Sequence, residues 1–178
     1  MRSPLLVSAA LAIVMTFAGL TLAAPQATSY KLTSTLKASS EVPKPAGAKV
    51  GATGTFTGTA VQATATSRAA LTWKLTFAKL TGPAAAAHIH IGKPGKAGNV
   101  MVALCGPCRS GQRGSARVTN AQLKTIRAGG AYVNLHTKTN AAGEIRGQVK
   151  ASKGSNVAPA PPPPPSPEPP PPPDYPYP

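Results

Sequence analysis

Ala69-Ala70-Leu71-Thr72-Trp73-Lys74-Leu75-Thr76-Phe77-Ala78-Lys79-Leu80 decides the fold class. Leu71, Trp73, Leu75 and Phe77 alternate with Thr72, Lys74 and Thr76, and a period of two belongs to a strand with one face buried. On the N-terminal side, Tyr30, Leu32, Ser34 and Leu36 alternate in the same way. Thr53–Val61 reads as a weaker strand, because glycine in a strand interior costs order. Further strands are expected at Ala86–Ile91, Asn99–Leu104, Ala131–Lys138 and Glu144–Ala151, with turns at Gly92–Gly98 and Thr139–Gly143. Arg109–Gly114 reads as a flexible basic loop. One short helix interrupts the pattern: Thr119 to Gln122 has capping-box spacing, Leu123 and Ile126 share a face, and Gly129-Gly130 closes it. Many short strands with close turn signals predict an all-β fold, an antiparallel β-sandwich or Greek-key-like barrel with one short helix. The folded region, residues 29–152, has the size of one domain.

Both ends have a different character. Arg2, the apolar run Leu5–Leu22 and the small residues Ala23 and Ala24 form a secretory signal, residues 1–24. Nothing later is apolar enough to cross a membrane, so the expectation is an exported protein without stable membrane insertion. Residues 153–178 are dominated by proline, which fixes φ and removes donors. Such a tail is an extended polyproline II rod, disordered in the sense of having no core. Its Ser166-Pro167 and Tyr175-Pro176 pattern resembles the hydroxyproline-rich glycoproteins of plant and green-algal cell walls.

Charge narrows the partners. Lys plus Arg number 19 against 4 acids, a net charge of +15. Within the folded region the acids are Glu41 and Glu144 alone. An exported cation of this kind associates with polyanions, acidic cell-wall polysaccharide first among them, and its field draws small anions. The export signal and the lack of interleaved basic and aromatic residues argue against nucleic acid.

The three histidines carry the chemistry. His88 and His90 in Ala87-His88-Ile89-His90-Ile91 share one face of a strand, with Ile89 and Ile91 turned away. His136 lies in Tyr132-Val133-Asn134-Leu135-His136-Thr137, shortly before Gly143-Glu144-Ile145-Arg146-Gly147. Imidazole suits copper and zinc, and three of them on neighbouring strands would make a metal site; the plainer reading is three partly exposed polar residues. Cys105-Gly106-Pro107-Cys108 has the letters of a thioredoxin-type redox motif. It lacks the helix that lowers the thiol pKa there, so a local structural disulfide is the expectation.

These residues, taken in order, resemble the CHRD domain, the module named from chordin. Leu36-Lys37-Ala38-Ser39-Ser40-Glu41-Val42-Pro43, Ala85-Ala86-Ala87-His88-Ile89-His90, Tyr132 to Thr137 and Gly143-Glu144-Ile145-Arg146-Gly147-Gln148 carry the likeness. The resemblance implies a β domain and leaves function open. The order His88/His90, His136, Arg146 also resembles copper/zinc superoxide dismutases. That likeness implies copper on the three histidines and Arg146 as the catalytic residue attracting superoxide. The zinc-binding cluster of those enzymes has no counterpart, so a copper-only site is the most the chain could build. The alternatives are a non-enzymatic wall or matrix module binding anionic glycan or protein, and zinc on the same histidines with Glu144 as general base. Glu144 and Arg146 also admit a bland reading, a cross-strand ion pair on the surface.

Overall fold

The computed structural model describes residues 26–154; residues 1–24, read as a secretory signal, and most of the stretch read as a proline tail lie outside the described residues. Nine antiparallel strands form one sheet that curls into a nearly closed barrel. They are β1 (Thr28–Lys37), β2 (Thr53–Gln62), β3 (Ala69–Ala78), β4 (Ala84–Ile91), β5 (Val100–Cys105), β6 (Gln112–Val118), β7 (Ala131–Thr137), β8 (Ile145–Gln148) and β9 (Lys150–Lys153). Helix α1 (Asn120–Arg127) lies between β6 and β7. The order across the sheet is β5-β4-β7-β8-β1-β2-β3-β6, with β9 also pairing β1. Of the two expected architectures, the single curled sheet is the one adopted, and its non-sequential neighbours are β4 beside β7, β3 beside β6, and β1 beside both β8 and β9.

Alternation builds the interior. Leu32 and Leu36 of β1, Phe56 of β2, Leu71 and Leu75 of β3, Ile89 of β4 and Leu135 of β7 are all fully buried. Each such side chain withdrawn from water contributes about 1.5–3 kcal/mol. The glycines that weaken β2 as a strand have a packing reason. Gly58 and Gly114 are the direct cross-strand neighbours of Trp73 on either side. A Cβ on Gly114 would run into the indole, and one on Gly58 would crowd Leu71 and Phe56. Small residues thus make room for the one tryptophan, the large-next-to-small filling a narrow barrel requires.

The helix follows its sequence signals. Gln122 N–H donates to Thr119 Oγ1 at 3.2 Å, Thr119 N–H donates to Gln122 Oε1 at 2.8 Å, and Leu123 and Ile126 are buried. Gly129 takes the left-handed conformation, φ 71°, that ends it.

Three expectations are corrected. The basic segment after Cys108 is not a loop throughout: Gln112–Val118 is β6, paired along its length with β3. Its inward positions are Gln112, Gly114, Ala116 and Val118, and only the last is a large hydrophobe, so the alternation that betrays a strand is missing over most of its length, with Gly114 opposite Trp73. The single strand expected at Glu144–Ala151 is two: β8 pairs with β7, β9 pairs with β1, and Val149 between them carries the β7 register one step on by donating its N–H to Ala131 O at 2.9 Å. Strand pairing runs to Lys153, one residue into the stretch read as tail.

Strands β5 and β6 are the two edges of the sheet. The segment joining them spans the gap: Cys108 N–H donates to Ala84 O at 3.0 Å and Gly111 N–H to Leu75 O at 2.8 Å. Cys105 and Cys108 are disulfide-bonded at this seam. The chain after Cys108 enters a strand rather than a helix, so nothing there activates a thiol.

Gly114→Ala should destabilise the barrel by about 1–3 kcal/mol, the usual effect of forcing extra volume into a packed core, and shift Trp73 fluorescence. Chemical unfolding followed by that fluorescence checks both. A neutral substitution would contradict the close indole contact.

Candidate metal centre

The antiparallel register of β4 on β7 places Ala86 opposite His136, His88 opposite Asn134 and His90 opposite Tyr132. All these side chains stand on the outer face of the barrel, while Ile89, Val133 and Leu135 point inward and are fully buried. His88 and His136 are therefore diagonal neighbours, with His88 Nδ1 3.2 Å from His136 Nε2. The three ring centroids form a triangle with sides of 5.1, 5.6 and 5.6 Å. One donor nitrogen from each ring lies within 4.8 Å of the others.

Two loops orient the rings. In the turn after β4, Gly98 O accepts from His90 Nδ1 at 2.9 Å. In the turn after β7, Ala141 O accepts from His136 Nδ1 at 3.0 Å. A carbonyl on Nδ1 requires the proton there, which leaves each Nε2 with a free lone pair; this is how a carbonyl behind the ring prepares a histidine to ligate. His136 Nε2 is then the acceptor and His88 Nδ1 the donor in their contact. His90 Nε2 is buried and has no hydrogen-bond partner. Burial lowers the His88 and His136 pKa values, and the neighbouring imidazoles add to this, partly offset at His136 by the Ala141 carbonyl. Both rings are thereby held in the neutral form that binds metal. A buried, unpartnered ring nitrogen converging with two others fits a metal ion bound by one nitrogen from each of His88, His90 and His136, with His88 Nδ1 giving up its proton to His88 Nε2 as the ion enters.

Tyr132 and Asn134 complete the face. Neither was assigned a role from sequence, although a period of two from His136 through Asn134 to Tyr132 carries the signal. The Tyr132 ring stacks on His90 at 5.1 Å and 15°, and its hydroxyl meets Gly98 N–H at 3.1 Å. Gly98 itself has no room for a side chain, since a Cβ would collide with Ile91 O.

Arg146 is not where the sequence reading puts it. It is 2% exposed, its guanidinium lies 4.3 Å over the Tyr132 ring, and Nη1 donates to Lys96 O at 3.1 Å. Pairing of β7 with β4 on one side and β8 on the other puts His90 and Arg146 on opposite sides of Tyr132. The cation thus touches the site through the tyrosine and does not face solvent beside the histidines. It makes no surface ion pair with Glu144 either.

Glu144 is fully buried elsewhere. Its carboxylate accepts from Thr81 N–H at 2.6 Å, Thr81 Oγ1 at 2.5 Å, Thr137 Oγ1 at 2.6 Å and Asn140 Nδ2 at 3.3 Å. Burial pushes its pKa up, but the hydrogen bonds from Thr137, Thr81 and Asn140 outweigh that and leave it below the usual value. A carboxylate so occupied is a structural anchor for the turn after β7, not a general base. Glu41, 2% exposed, is less well served: Oε1 accepts from Val42 N–H at 3.0 Å and Asn134 Nδ2 at 3.5 Å, and Oε2 has no partner. Burial raises its pKa against the opposing pull of the Val42 N–H, the Arg146 charge and Asn134.

A nearly closed antiparallel barrel with a histidine triad on its outer face is the class of domain these features define. The chain belongs to the CHRD domain family, whose model matches residues 32–149. No curated protein and no solved structure matches it.

The two carboxylates predict opposite pH behaviour. Glu144, with its lowered pKa, contributes stability that is in place above the ordinary carboxylate range and lost as pH falls through its folded value. Glu144→Gln should cost about 2 kcal/mol or more at neutral pH, the loss of charged hydrogen bonds in a buried site, and flatten the acid limb. Glu41, with its raised pKa, favours the protonated fold, so Glu41→Gln should raise the Tm at neutral pH with the gain fading in acid. Thermal melts of both variants between pH 3 and 8 test the signs.

Proposed function

We propose that His88, His90 and His136 hold one copper ion and that the domain is an exported copper-only protein with superoxide dismutase-like activity. The observation that carries the reading is His90 Nε2, buried without a partner and converging with two further imidazole nitrogens. Leaving a buried acceptor empty costs free energy that a metal would recover. Imidazole donors favour copper over zinc at a site of this kind, by the general order of divalent affinities. Bound copper would supply one-electron chemistry, cycling between two oxidation states with a position left open for a small ligand.

The chain's own residues supply orientation and field. Gly98 O and Ala141 O hold two rings in the ligating tautomer, and Tyr132 fixes the plane of His90. Arg146 is assigned a positioning role, bracing Tyr132 and tethering the loop through Lys96 O. Attraction of a small anion falls instead to Lys93, Lys96 and Lys138, exposed in the two turns that flank the histidines. A positive field of this kind raises the encounter rate with superoxide and is screened by salt. Zinc with Glu144 as base is the weaker alternative, because that carboxylate already accepts from three residues. Residues 1–24 are assigned to export, in keeping with the described residues, none of whose helices is long and apolar enough to cross a membrane.

The purified chain should take up one copper per molecule, and His88→Ala or His136→Ala should lose it while remaining folded by circular dichroism. The copper-loaded chain should dismute superoxide faster than an equal amount of a copper–peptide complex, and more slowly as ionic strength rises. Retention of full copper by both variants would place the metal elsewhere. Copper uptake with no activity above the peptide complex would leave a binding site and remove the enzyme.

A further inference from the structure

The half of the sheet away from the histidines carries a second surface. Register places Thr33, Thr57, Lys74 and Arg113 in one row across β1, β2, β3 and β6. The adjacent row on the same outward face is Lys31, Thr59, Thr72 and Ser115. Together they line a shallow depression of about 730 Å³. With strands about 4.8 Å apart and same-face residues about 6.8 Å apart along each strand, Lys31 lies roughly 12 Å from Lys74 across a floor of hydroxyls.

Two features ask for an anion here. Lys74 and Arg113 are direct cross-strand neighbours, and like charges set opposite one another destabilise a sheet. No acid relieves them: the described residues contain only Glu41 and Glu144, and both are buried on other elements. We propose that this depression binds a linear polyuronate, a polysaccharide of carboxylated sugars. Lys31, Lys74 and Arg113 meet carboxylates, the guanidinium able to do so with two parallel bonds, and the threonine rows meet the sugar hydroxyls between them.

The other polyanions fit less well. Trp73, beneath this face, is 4% exposed, so no aromatic ring is offered to stack a nucleic-acid base. The exposed large apolar residues among those described, Val50, Ile91 and Val100, lie on neither row, so nothing here enters a lipid surface. The inference is independent of the metal centre, which sits on β4 and β7.

The full chain should bind polygalacturonate at low salt by calorimetry, and Lys74→Glu with Arg113→Glu should weaken binding about tenfold or more, roughly the loss of one to two charge-assisted contacts. Lys44→Glu with Lys49→Glu, an equal charge change on the exposed β1–β2 connection, should weaken it by less than about threefold, since screening limits distant charges. Lys74→Glu alone should weaken binding as well and raise the Tm by turning a like-charge pair into an opposite pair, and the double variant should keep the parent's circular dichroism, so that binding is lost from a folded chain in both. Copper content should be unchanged in every variant. Equal weakening by both double variants would overturn the assignment to this face. Binding of uncharged galactan, of dextran sulfate or of duplex DNA as tight as that of polygalacturonate would overturn the polyuronate.

Discussion

The pairing of β4 with β7 is the constraint on which the site depends. A strand's side chains alternate, so a slip of one residue would turn His88, His90 or His136 from the outer face into the barrel. The fully buried Ile89, Val133 and Leu135 forbid that slip, because it would put them in water in exchange. The core thus sets the register, and the register sets the histidine triangle. The two turns that follow these same strands return their carbonyls to the rings, so each strand brings both its ligands and the groups that orient them.

Charge distribution follows from the same arrangement. The two folded acids are consumed inside, Glu144 as a hydrogen-bonded anchor and Glu41 beneath Arg146 and Asn134. They differ because Glu144 meets donors from Thr81, Thr137 and Asn140, whereas one oxygen of Glu41 meets none. Desolvation wins at Glu41 and hydrogen bonding wins at Glu144. What is left outside is a surface of cations without carboxylates to answer them, around the histidines and across the threonine rows alike.

Barrel closure is incomplete and is managed locally. Hydrogen bonding stops between β5 and β6, where the short disulfide-bonded connection reaches Ala84 of β4 and Leu75 of β3 instead. Next to it, Gly114 leaves space for the Trp73 indole, and Gly58 on the other side leaves space for Leu71 and Phe56. The Cys-Gly-Pro-Cys segment is read most simply as part of this closure.

Much of the fold was legible in the residues themselves. Alternation in β1, β3, β4 and β7, the capping box at Thr119 and the glycine stop at Gly129 are local signals, and local signals survive in the folded chain because nothing opposes them. The shared face of His88 and His90 is of the same kind. Strand β6 was not legible, because its inward residues Gln112, Gly114 and Ala116 carry no hydrophobic signal, and Gly114 is small in answer to Trp73 on another strand. The burial of Arg146, the four-bond cradle of Glu144 and the tautomers of His90 and His136 were equally hidden. Each depends on a partner between 4 and 63 positions away, and a sequence pattern reports what a residue is, whereas contact across the barrel decides what it can do.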